Sequence, residues 1–202
     1  MNNYGGEFWN NRYSADDFIY GIKPNNFFKD SLKKLNPGKI LMLGEGEGRN
    51  AVFAAAQGWK VDAVDFSETA KEKALRLAKE NSVMINYTVS NLKDFKFNPN
   101  TYDAVGYIFS HLNPSLRSVV HPGIVNTLKV GGYLILEVFE KAQLGRTSGG
   151  PQNLDMLYSI DELKTDFKSM KIILIEKKEI FLDEGEPHKG EAMIVRLIAQ
   201  KV

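Results

Sequence analysis

The segment Lys39-Ile-Leu-Met-Leu-Gly44-Glu-Gly-Glu-Gly48-Arg-Asn-Ala-Val52 decides the fold. A short apolar run that predicts a buried strand is followed by three alternating glycines and then by a helical pattern. Glycine is needed where the chain turns sharply out of a strand and a ligand must approach the backbone. The helix that follows offers unpaired N–H groups and the positive end of its dipole to an anionic group. The segment therefore predicts a ligand-binding turn between a strand and a helix.

The glycine spacing separates this turn from two related nucleotide-binding loops. A Walker-type phosphate loop requires Gly-Lys-Ser/Thr, whereas the third glycine here is followed by Arg49 and Asn50. A dinucleotide fingerprint requires a glycine at the position of Arg49 for close helix packing. The next strand-like run ends at Asp65, whose carboxylate can accept hydrogen bonds from both hydroxyls of a ribose. The structural alternative is a tight turn followed by a solvated aspartate and a helix-capping Ser67.

Strand-like and helical patterns alternate outward from this turn. After residues 39–43, the strand-like runs are residues 60–64, 85–89, 102–109 and 133–139. Helical patterns cover residues 48–57, 68–80 and 114–128, and Pro122 is expected to kink the last helix or split it in two. This alternation predicts βαβ units, and hence a parallel sheet with right-handed crossovers.

The two ends of the chain depart from this alternation. Residues 171–182 and 191–200 are both strand-like, and the connection between them is too short for a crossover helix, which predicts an antiparallel hairpin. Residues 4–35 predict two helices broken at residues 21–24, with Phe18 and Tyr20 toward the end of the first.

Residues 1–36 are interpreted as a helical cap that belongs to the same domain as residues 37–202. The polar, glycine-rich residues 144–153 are interpreted either as a mobile gate or as a plain linker.

Composition argues against several classes of function. The 202 residues include 26 Lys and Arg against 25 Asp and Glu, and a net charge of +1 argues against nucleic-acid binding. The absence of cysteine excludes a disulfide scaffold, a thiolate zinc site and a cysteine nucleophile. The three histidines lack a short metal-ligand spacing, so we expect no metal. Neither a secretory pattern nor an apolar run of the ~18 residues needed for a membrane span is found, so we expect a cytoplasmic protein without a membrane partner.

Several motifs resemble those of a known family. Gly44–Gly48 with Asp65 resembles motif I and the acidic residue of the class I S-adenosylmethionine-dependent methyltransferases, and the resemblance covers about residues 7–202. Trp9-Asn-x-Arg12-Tyr13 followed by Tyr20-Gly21-x-x-Pro24-Asn25 resembles the start of small-molecule methyltransferases of the TehB (tellurite-resistance) and thiopurine type. The resemblance implies an α/β, Rossmann-like, three-layer sandwich. Its seven-stranded, mostly parallel sheet would have the order 3-2-1-4-5-7-6 and end in an antiparallel hairpin.

The resemblance also implies S-adenosylmethionine as the cofactor and S-adenosylhomocysteine as the product. Asp65 would hold the ribose diol, and Arg49 is a candidate for the cofactor carboxylate. Asn91 stands where the family usually has an acid that accepts from the adenine amino group, and an amide carbonyl can accept that bond. The expected cofactor-binding residues are Gly44, Glu45, Gly46, Arg49, Asn50, Asp65, Phe66, Ser67, Asn91, Leu92 and Phe109.

Candidates for catalysis and acceptor binding come from three places. Gly185-Glu-Pro-His188-Lys-Gly190 and the downstream Arg196 match a TehB-like pattern, and His111 follows the fourth strand. The alternatives are an exposed turn histidine, a surface arginine and a loop histidine bonded to backbone. The residues that would form a lid over the acceptor, or else pack a helix on the sheet, are Trp9, Arg12, Tyr13 and Tyr20.

Methyl transfer from a sulfonium depends mainly on positioning and on exclusion of water, and a base helps only if the acceptor arrives protonated. We therefore expect a methyltransferase that acts on a small-molecule acceptor, without nucleic acid, as a monomer or homodimer. Two alternatives stay open. One is an NAD(P)-dependent oxidoreductase, which Arg49 and the terminal hairpin disfavour. The other is an S-adenosylmethionine-binding protein without activity.

Overall fold

The computed structural model describes residues 6–202. Residues 1–5 include the predicted start of the first helix and of the cap, and they lie outside the described residues. Seven strands form one sheet: β1 Lys39–Leu43, β2 Lys60–Asp65, β3 Asn86–Val89, β4 Tyr102–Ile108, β5 Leu128–Phe139, β6 Met170–Asp183 and β7 Lys189–Lys201.

The strands lie in the order β3-β2-β1-β4-β5-β7-β6. The strands from β1 to β5 pair in parallel, and β7 runs antiparallel to both β5 and β6. The predicted fold class, strand order and terminal hairpin are therefore confirmed.

Helices cover both faces of this sheet. They are α1 Gly6–Arg12, α2 Asn26–Leu32, α3 Arg49–Ala56, α4 Glu68–Glu80, α5 Pro114–Thr127 and α6 Ile160–Asp166, with 3-10 turns at Lys141–Gln143 and Leu154–Met156. Helix α6 was not among the elements expected from the sequence, and it begins in a capping box between Ser159 and Glu162. No helix of the described chain is both long and apolar enough to cross a bilayer.

The two faces of the sheet form two hydrophobic cores, because alternate residues of a strand point to opposite sides. In β1, Ile40 and Met42 pack with residues of α2, α3 and α4, whereas Leu41 and Leu43 pack with residues of α5 and α6. All four side chains are at most 1% exposed. Burying each one contributes about 1.5–3 kcal/mol to stability. Because both faces of β1 are buried, its sequence is a continuous apolar run, which is why it predicted a buried strand.

The prediction of a break at Pro122 is wrong in one respect, because α5 runs as one helix from Pro114 to Thr127. Proline removes the hydrogen bond to the carbonyl four residues earlier, which belongs to Ser118. Ser118 and Pro122 are both exposed, so water can satisfy that carbonyl. The strand that follows also starts earlier than predicted, at Leu128, with a register irregularity opposite Tyr102 and Ala104.

The predicted first helix is too long. It ends at Arg12, and residues 13–25 continue as turns and extended chain, so Phe18 and Tyr20 lie outside it. The ammonium group of Lys73 in α4 lies 2.8 Å from the carbonyl oxygen of Ala15 and 2.6 Å from that of Asp17. These carbonyls are therefore bonded to a distant side chain and not to helical N–H groups.

We predict that Gly48→Ala lowers the free energy of unfolding by about 3 kcal/mol. Gly48 precedes α3 with a φ of 90°, and an added Cβ would lie 2.6 Å from the Cβ of Ala74 in α4. Gly131→Ala is the matched control, because Gly131 has a φ of 83° but no atom within 4 Å of the added Cβ. The control should lose only about 1 kcal/mol. Equal losses in urea denaturation would contradict the close approach of the two helices.

Candidate functional site

The glycine turn lies at the carboxyl ends of the parallel strands, where ligands bind in open α/β sheets. The N–H groups of Gly44 and Glu45 both donate to the carbonyl of Val64, at 2.8 and 3.2 Å, which folds the turn against β2. Gly44 and Gly46 have φ values of 62° and 59°. A Cβ on Gly44 would collide with the side chain of Ser110, and one on Gly46 would lie 2.8 Å from the Tyr13 hydroxyl oxygen. The turn is therefore a cradle that requires glycine.

Among the described residues, the partners of Asp65 at this cradle are backbone groups. Its carboxylate accepts hydrogen bonds from the N–H of Gly46 at 3.0 Å and from the N–H of Ser67 at 3.1 Å. The residue is 5% exposed, and burial raises its pKa to about 6 in spite of these bonds. A carboxylate has about four acceptor sites, so Asp65 keeps capacity for the two hydroxyls of a ribose.

The carboxylate of Glu45 binds the N-terminus of α3, which is the helix terminus that the sequence suggested for an anionic ligand. One of its carboxylate oxygens accepts from the N–H groups of Asn50 and Ala51, at 3.0 and 2.7 Å, in the first turn of α3. Burial raises the pKa of Glu45 to about 7. The side chain of Asn50 accepts from the N–H of Asn25 at 2.9 Å.

Four other expected cofactor residues lie in the turns that follow β2 and β3. Ser67 caps α4 through the N–H of Ala70 at 3.1 Å, and its hydroxyl donates to Asn10 at 2.6 Å. Phe66 lies at the same turn and is half-buried. Asn91 is exposed and accepts from the N–H of Lys93 at 3.0 Å, so it caps the turn after β3. The side chain of Leu92 belongs to one of the two hydrophobic cores.

Aromatic rings from four parts of the chain meet beside this turn. His188 lies 4.6 Å from Tyr20, 4.8 Å from Phe109 and 5.3 Å from Phe139, measured between ring centroids. His111 stacks on Phe139 at 5.3 Å. We call Tyr20, Phe109, His111, Phe139 and His188 the aromatic cluster. Phe139 was missed by the sequence analysis, although its position as the last residue of β5 places it at the carboxyl end of the sheet.

His111 presents a free acceptor nitrogen within the aromatic cluster. Its Nδ1 lies 3.1 Å from the carbonyl oxygen of Met156, which can only accept, so Nδ1 carries the hydrogen. Its Nε2 is buried and has no hydrogen-bond partner among the described residues. Burial lowers the pKa of His111 to about 3, which keeps the ring neutral.

Glu184 in the hairpin loop joins three parts of the site. Its carboxylate accepts from the guanidinium of Arg49 at 2.8 Å and from the amide of Asn25 at 3.1 Å, and it lies 3.7 Å from Nδ1 of His188. Burial acts to raise the pKa of Glu184, but His188 and Arg49 outweigh it and lower the pKa to about 2. Arg49 is thus directed at a protein carboxylate, and it is 8% exposed. Glu184 was not among the site residues expected from the sequence.

Arg196 lies outside the aromatic cluster and is connected to it through Glu137, Asn25 and Glu184. Its guanidinium donates to the fully buried Glu137 at 2.5 Å, directly across the β5–β7 pair. Glu137 also accepts from the amide of Asn25 at 2.6 Å, and Asn25 connects it to Glu184. A single glutamate in the apolar run of β5 was the signal in the sequence that a buried ion pair was required.

The amino-terminal residues cover the glycine turn. Lys73 and Glu47, 6% and 4% exposed, form an ion pair at 2.5 Å beneath them. Glu47 also accepts from the N–H of Ile19 at 2.9 Å, and Arg12 donates to the Tyr20 hydroxyl at 3.1 Å. We call residues 6–25 the covering segment.

The covering segment brings together the four residues expected to form a lid. Trp9 stacks on the buried ring of Tyr13 at 5.5 Å, and Tyr13 lies 6.4 Å from Tyr20. The glycine-rich residues 144–153, by contrast, are anchored at their middle, where the hydroxyl of Ser148 donates to the carbonyl of Glu191 at 2.6 Å.

Known proteins resemble this chain in fold and over part of its sequence. A ubiquinone biosynthesis O-methyltransferase of Rickettsia canadensis is 43% identical over 67 residues, which is 33% of this chain and only 28% of that protein. TehB from Haemophilus influenzae has a TM-score of 0.73 at 17% identity, over 98% of this chain and 67% of that chain. A structure from work on the conversion of a disulfide bond into a thioacetal group during echinomycin biosynthesis has a TM-score of 0.75 at 18% identity, over 97% and 92% of the two chains. These two structural likenesses bear on the fold alone.

The sheet has the strand order that the resemblance to class I S-adenosylmethionine-dependent methyltransferases implies. Residues 40–132, from β1 into β5, match the methyltransferase domain family, which supports that class. The expected family and its cofactor are thereby confirmed. The cradle of Gly44 and Gly46 and the acceptor capacity of Asp65 fit an adenosine-containing cofactor.

We predict that Lys73→Met lowers the free energy of unfolding by about 3 kcal/mol, because it leaves the buried Glu47 without a cation. Lys71→Met is the matched control on the same helix. Lys71 is 34% exposed and faces Glu68 at 3.5 Å, so its loss should cost less than about 0.5 kcal/mol. Urea denaturation measures both effects. A loss for Lys73→Met no larger than that of the control would show that the covering segment is held by other contacts.

Proposed function

We propose that the protein transfers a methyl group from S-adenosylmethionine to a small-molecule acceptor, as in TehB-like enzymes. The observation that carries the proposal is the juxtaposition, at one edge of the sheet, of the glycine cradle with Asp65 and an aromatic cluster that contains two histidines. The covering segment lies over both, which favours a small acceptor. The net charge of +1 likewise favours a small molecule over nucleic acid.

When bound, S-adenosylmethionine supplies an electrophilic methyl group on a positively charged sulfur. The backbone of Gly44 and Gly46, which carries no Cβ, would lie against its ribose and methionine parts, and Asp65 would accept from the ribose hydroxyls. Phe66 and Ser67 would flank the adenine. Arg49 would act on the site through Glu184, because its guanidinium is already paired with that carboxylate.

The aromatic cluster would orient the acceptor and exclude water. The faces of Tyr20, Phe109 and Phe139 carry partial negative charge, which suits a cationic sulfur and a planar or apolar acceptor. Removal of water strengthens the electrostatic interactions inside such a site and holds the reactants at short distance.

The two histidines of the cluster would contact the hydroxyl or thiol of the acceptor, and His188 would receive its proton. Burial lowers the pKa of both His111 and His188, so both rings are neutral near pH 7. With a pKa of about 3, His111 is a weak base, and its Nε2 would accept a hydrogen bond from the acceptor. The Rickettsia canadensis relative is named as an O-methyltransferase, which supports a hydroxyl acceptor. Arg196 would support the site indirectly, by holding Glu137 and thereby Asn25.

Thermal unfolding in the presence of candidate cofactors tests the proposal. A ligand at about 100 times its Kd adds about 2.7 kcal/mol of stability, which is a shift of several degrees for a domain of this size. We expect a rise in Tm with S-adenosylmethionine and S-adenosylhomocysteine and no change with NAD or NADP. A rise with NAD or NADP alone would contradict the proposal. Binding without turnover over a broad acceptor panel would favour a non-catalytic binding protein.

We predict that the affinity for S-adenosylhomocysteine falls as the pH is lowered from 7 to 5. The pKa of Asp65 is raised to about 6, so acid protonates the carboxylate that accepts from the ribose. Affinity should fall about tenfold per pH unit once the pH is well below that value. Calorimetric titration measures the effect, and Asp65→Asn should bind weakly with a flat profile.

Glu45→Gln is the control for this pH dependence, because burial raises the pKa of Glu45 to about 7 and it titrates in a neighbouring range. The loss of affinity below pH 6 should persist in Glu45→Gln. Its disappearance in that variant would assign the pH dependence to Glu45 and not to Asp65.

A further inference from the structure

Glu184 and His188 lie in one loop whose backbone holds them at a fixed spacing. The N–H of Glu184 donates to the carbonyl of His188 at 3.0 Å, and the N–H of His188 donates to the carbonyl of Gly185 at 2.9 Å. Gly185 has a φ of 90°, and a Cβ there would collide with the carbonyl oxygen of Ile19 in the covering segment. The loop is therefore closed by its own backbone hydrogen bonds and packs against the covering segment.

We propose that Glu184 is a positioning residue that keeps the hydrogen of neutral His188 on Nδ1 and leaves Nε2 to accept the proton of the methyl acceptor. This inference rests on the proposed function, and it adds the tautomer of His188 and the group that sets it. Histidine has two distinct ring nitrogens, and the partner of one decides the role of the other.

The ring of His188 is held in one orientation. Its centroid lies within 5.3 Å of those of Tyr20, Phe109 and Phe139, and the residue is 7% exposed. The Nδ1 atom lies 3.7 Å from a carboxylate oxygen of Glu184. The Cδ2 edge faces Gly149, where an added Cβ would lie 2.7 Å from it. Packing on these sides keeps Nδ1 toward the carboxylate.

A carboxylate can only accept, so the nitrogen that faces it is the one that carries hydrogen. Glu184 is ionised at neutral pH, because Arg49 and His188 hold its pKa at about 2 against the effect of burial. The buried Nδ1 has no hydrogen-bond partner among the described residues, and this carboxylate is its ion-pair neighbour. A neutral imidazole has a single N–H, so Nε2 retains its lone pair.

The surroundings of His188 keep its ring neutral but able to accept a proton. Burial and the positive charge of Arg49 lower its pKa, whereas Glu184 raises it. The titratable and charged groups that act on the ring or contact it are Arg12, Tyr20, Arg49, His111 and Glu184. In methyl transfer, Nε2 takes the proton of the acceptor hydroxyl while an oxygen electron pair bonds to the methyl carbon and the carbon–sulfur pair returns to sulfur. Glu184 then faces the imidazolium and stabilises its charge.

Nitrogen-15 NMR of the histidine rings tests this assignment directly. The chain has three histidines, so His188 can be assigned by comparison with His188→Asn. At pH 7.5 we expect Nδ1–H to dominate in the wild-type protein by at least about tenfold. In Glu184→Gln we expect the population to shift by at least about tenfold toward Nε2–H, and the pKa of His188 to fall. A purely structural role of Glu184 would leave the tautomer unchanged.

Glu186→Gln is the matched control, because Glu186 lies in the same loop with an 89% exposed side chain paired to Lys189. It should keep the wild-type tautomer. A wild-type protein with the hydrogen on Nε2 would overturn the proposal even if Glu184→Gln failed to fold. The NMR measurement needs no ligand and tests only the tautomer of His188. A failure to bind S-adenosylhomocysteine would contradict the proposed function but would leave the tautomer assignment standing.

Discussion

Three carboxylates at the carboxyl end of the sheet, Glu47, Glu137 and Glu184, are each paired with a cation, and their pairing holds the site together. An isolated buried charge costs several kcal/mol, so each of these groups recruits a partner from a distant part of the chain. Three ion pairs result: Glu47 with Lys73, Glu137 with Arg196, and Glu184 with Arg49. They tie the glycine turn to α4, β5 to β7, and the start of α3 to the hairpin loop. The covering segment, the turn and the hairpin are therefore positioned by one set of electrostatic constraints.

Asp65 stands apart from these pairs, since its hydrogen bonds come from backbone N–H groups. This difference explains why burial raises the pKa of Asp65, whereas His188 and Arg49 lower the pKa of Glu184. Hydrogen bonds are stronger where water is excluded, so the burial that raises the pKa also strengthens any bond that a ligand hydroxyl makes to Asp65. A carboxylate without a cation partner, such as Asp65, is suited to bind a ligand, whereas the paired carboxylates hold the elements of the site together.

Local patterns predicted the scaffold well. The bounds of β1 and α4 agree with the apolar run at residues 39–43 and with the helical spacing at residues 68–80, because burial on both faces and amphipathic periodicity leave a direct trace in sequence. The short connection near residue 187 predicted the terminal hairpin for a geometric reason. Patterns failed where distant partners intervened, as in residues 13–25, whose carbonyls bind Lys73 in α4.

The sequence by itself determined the seven strands and the helices α1 to α5 in their order along the chain, the glycine turn and the acidic residue at the end of β2, because each depends on neighbours within a few residues or on strict periodicity. Only the tertiary structure decided which charged groups pair. Asn25, Glu137, Glu184 and Lys73 have no local signature that names a partner, and their partners lie between 26 and 159 residues away. Arg49 illustrates the difference: its place after the glycines was visible in sequence, but its pairing with Glu184 depends on a hairpin 135 residues away. Burial requires that each charge be compensated, and only the folded chain determines which group compensates it.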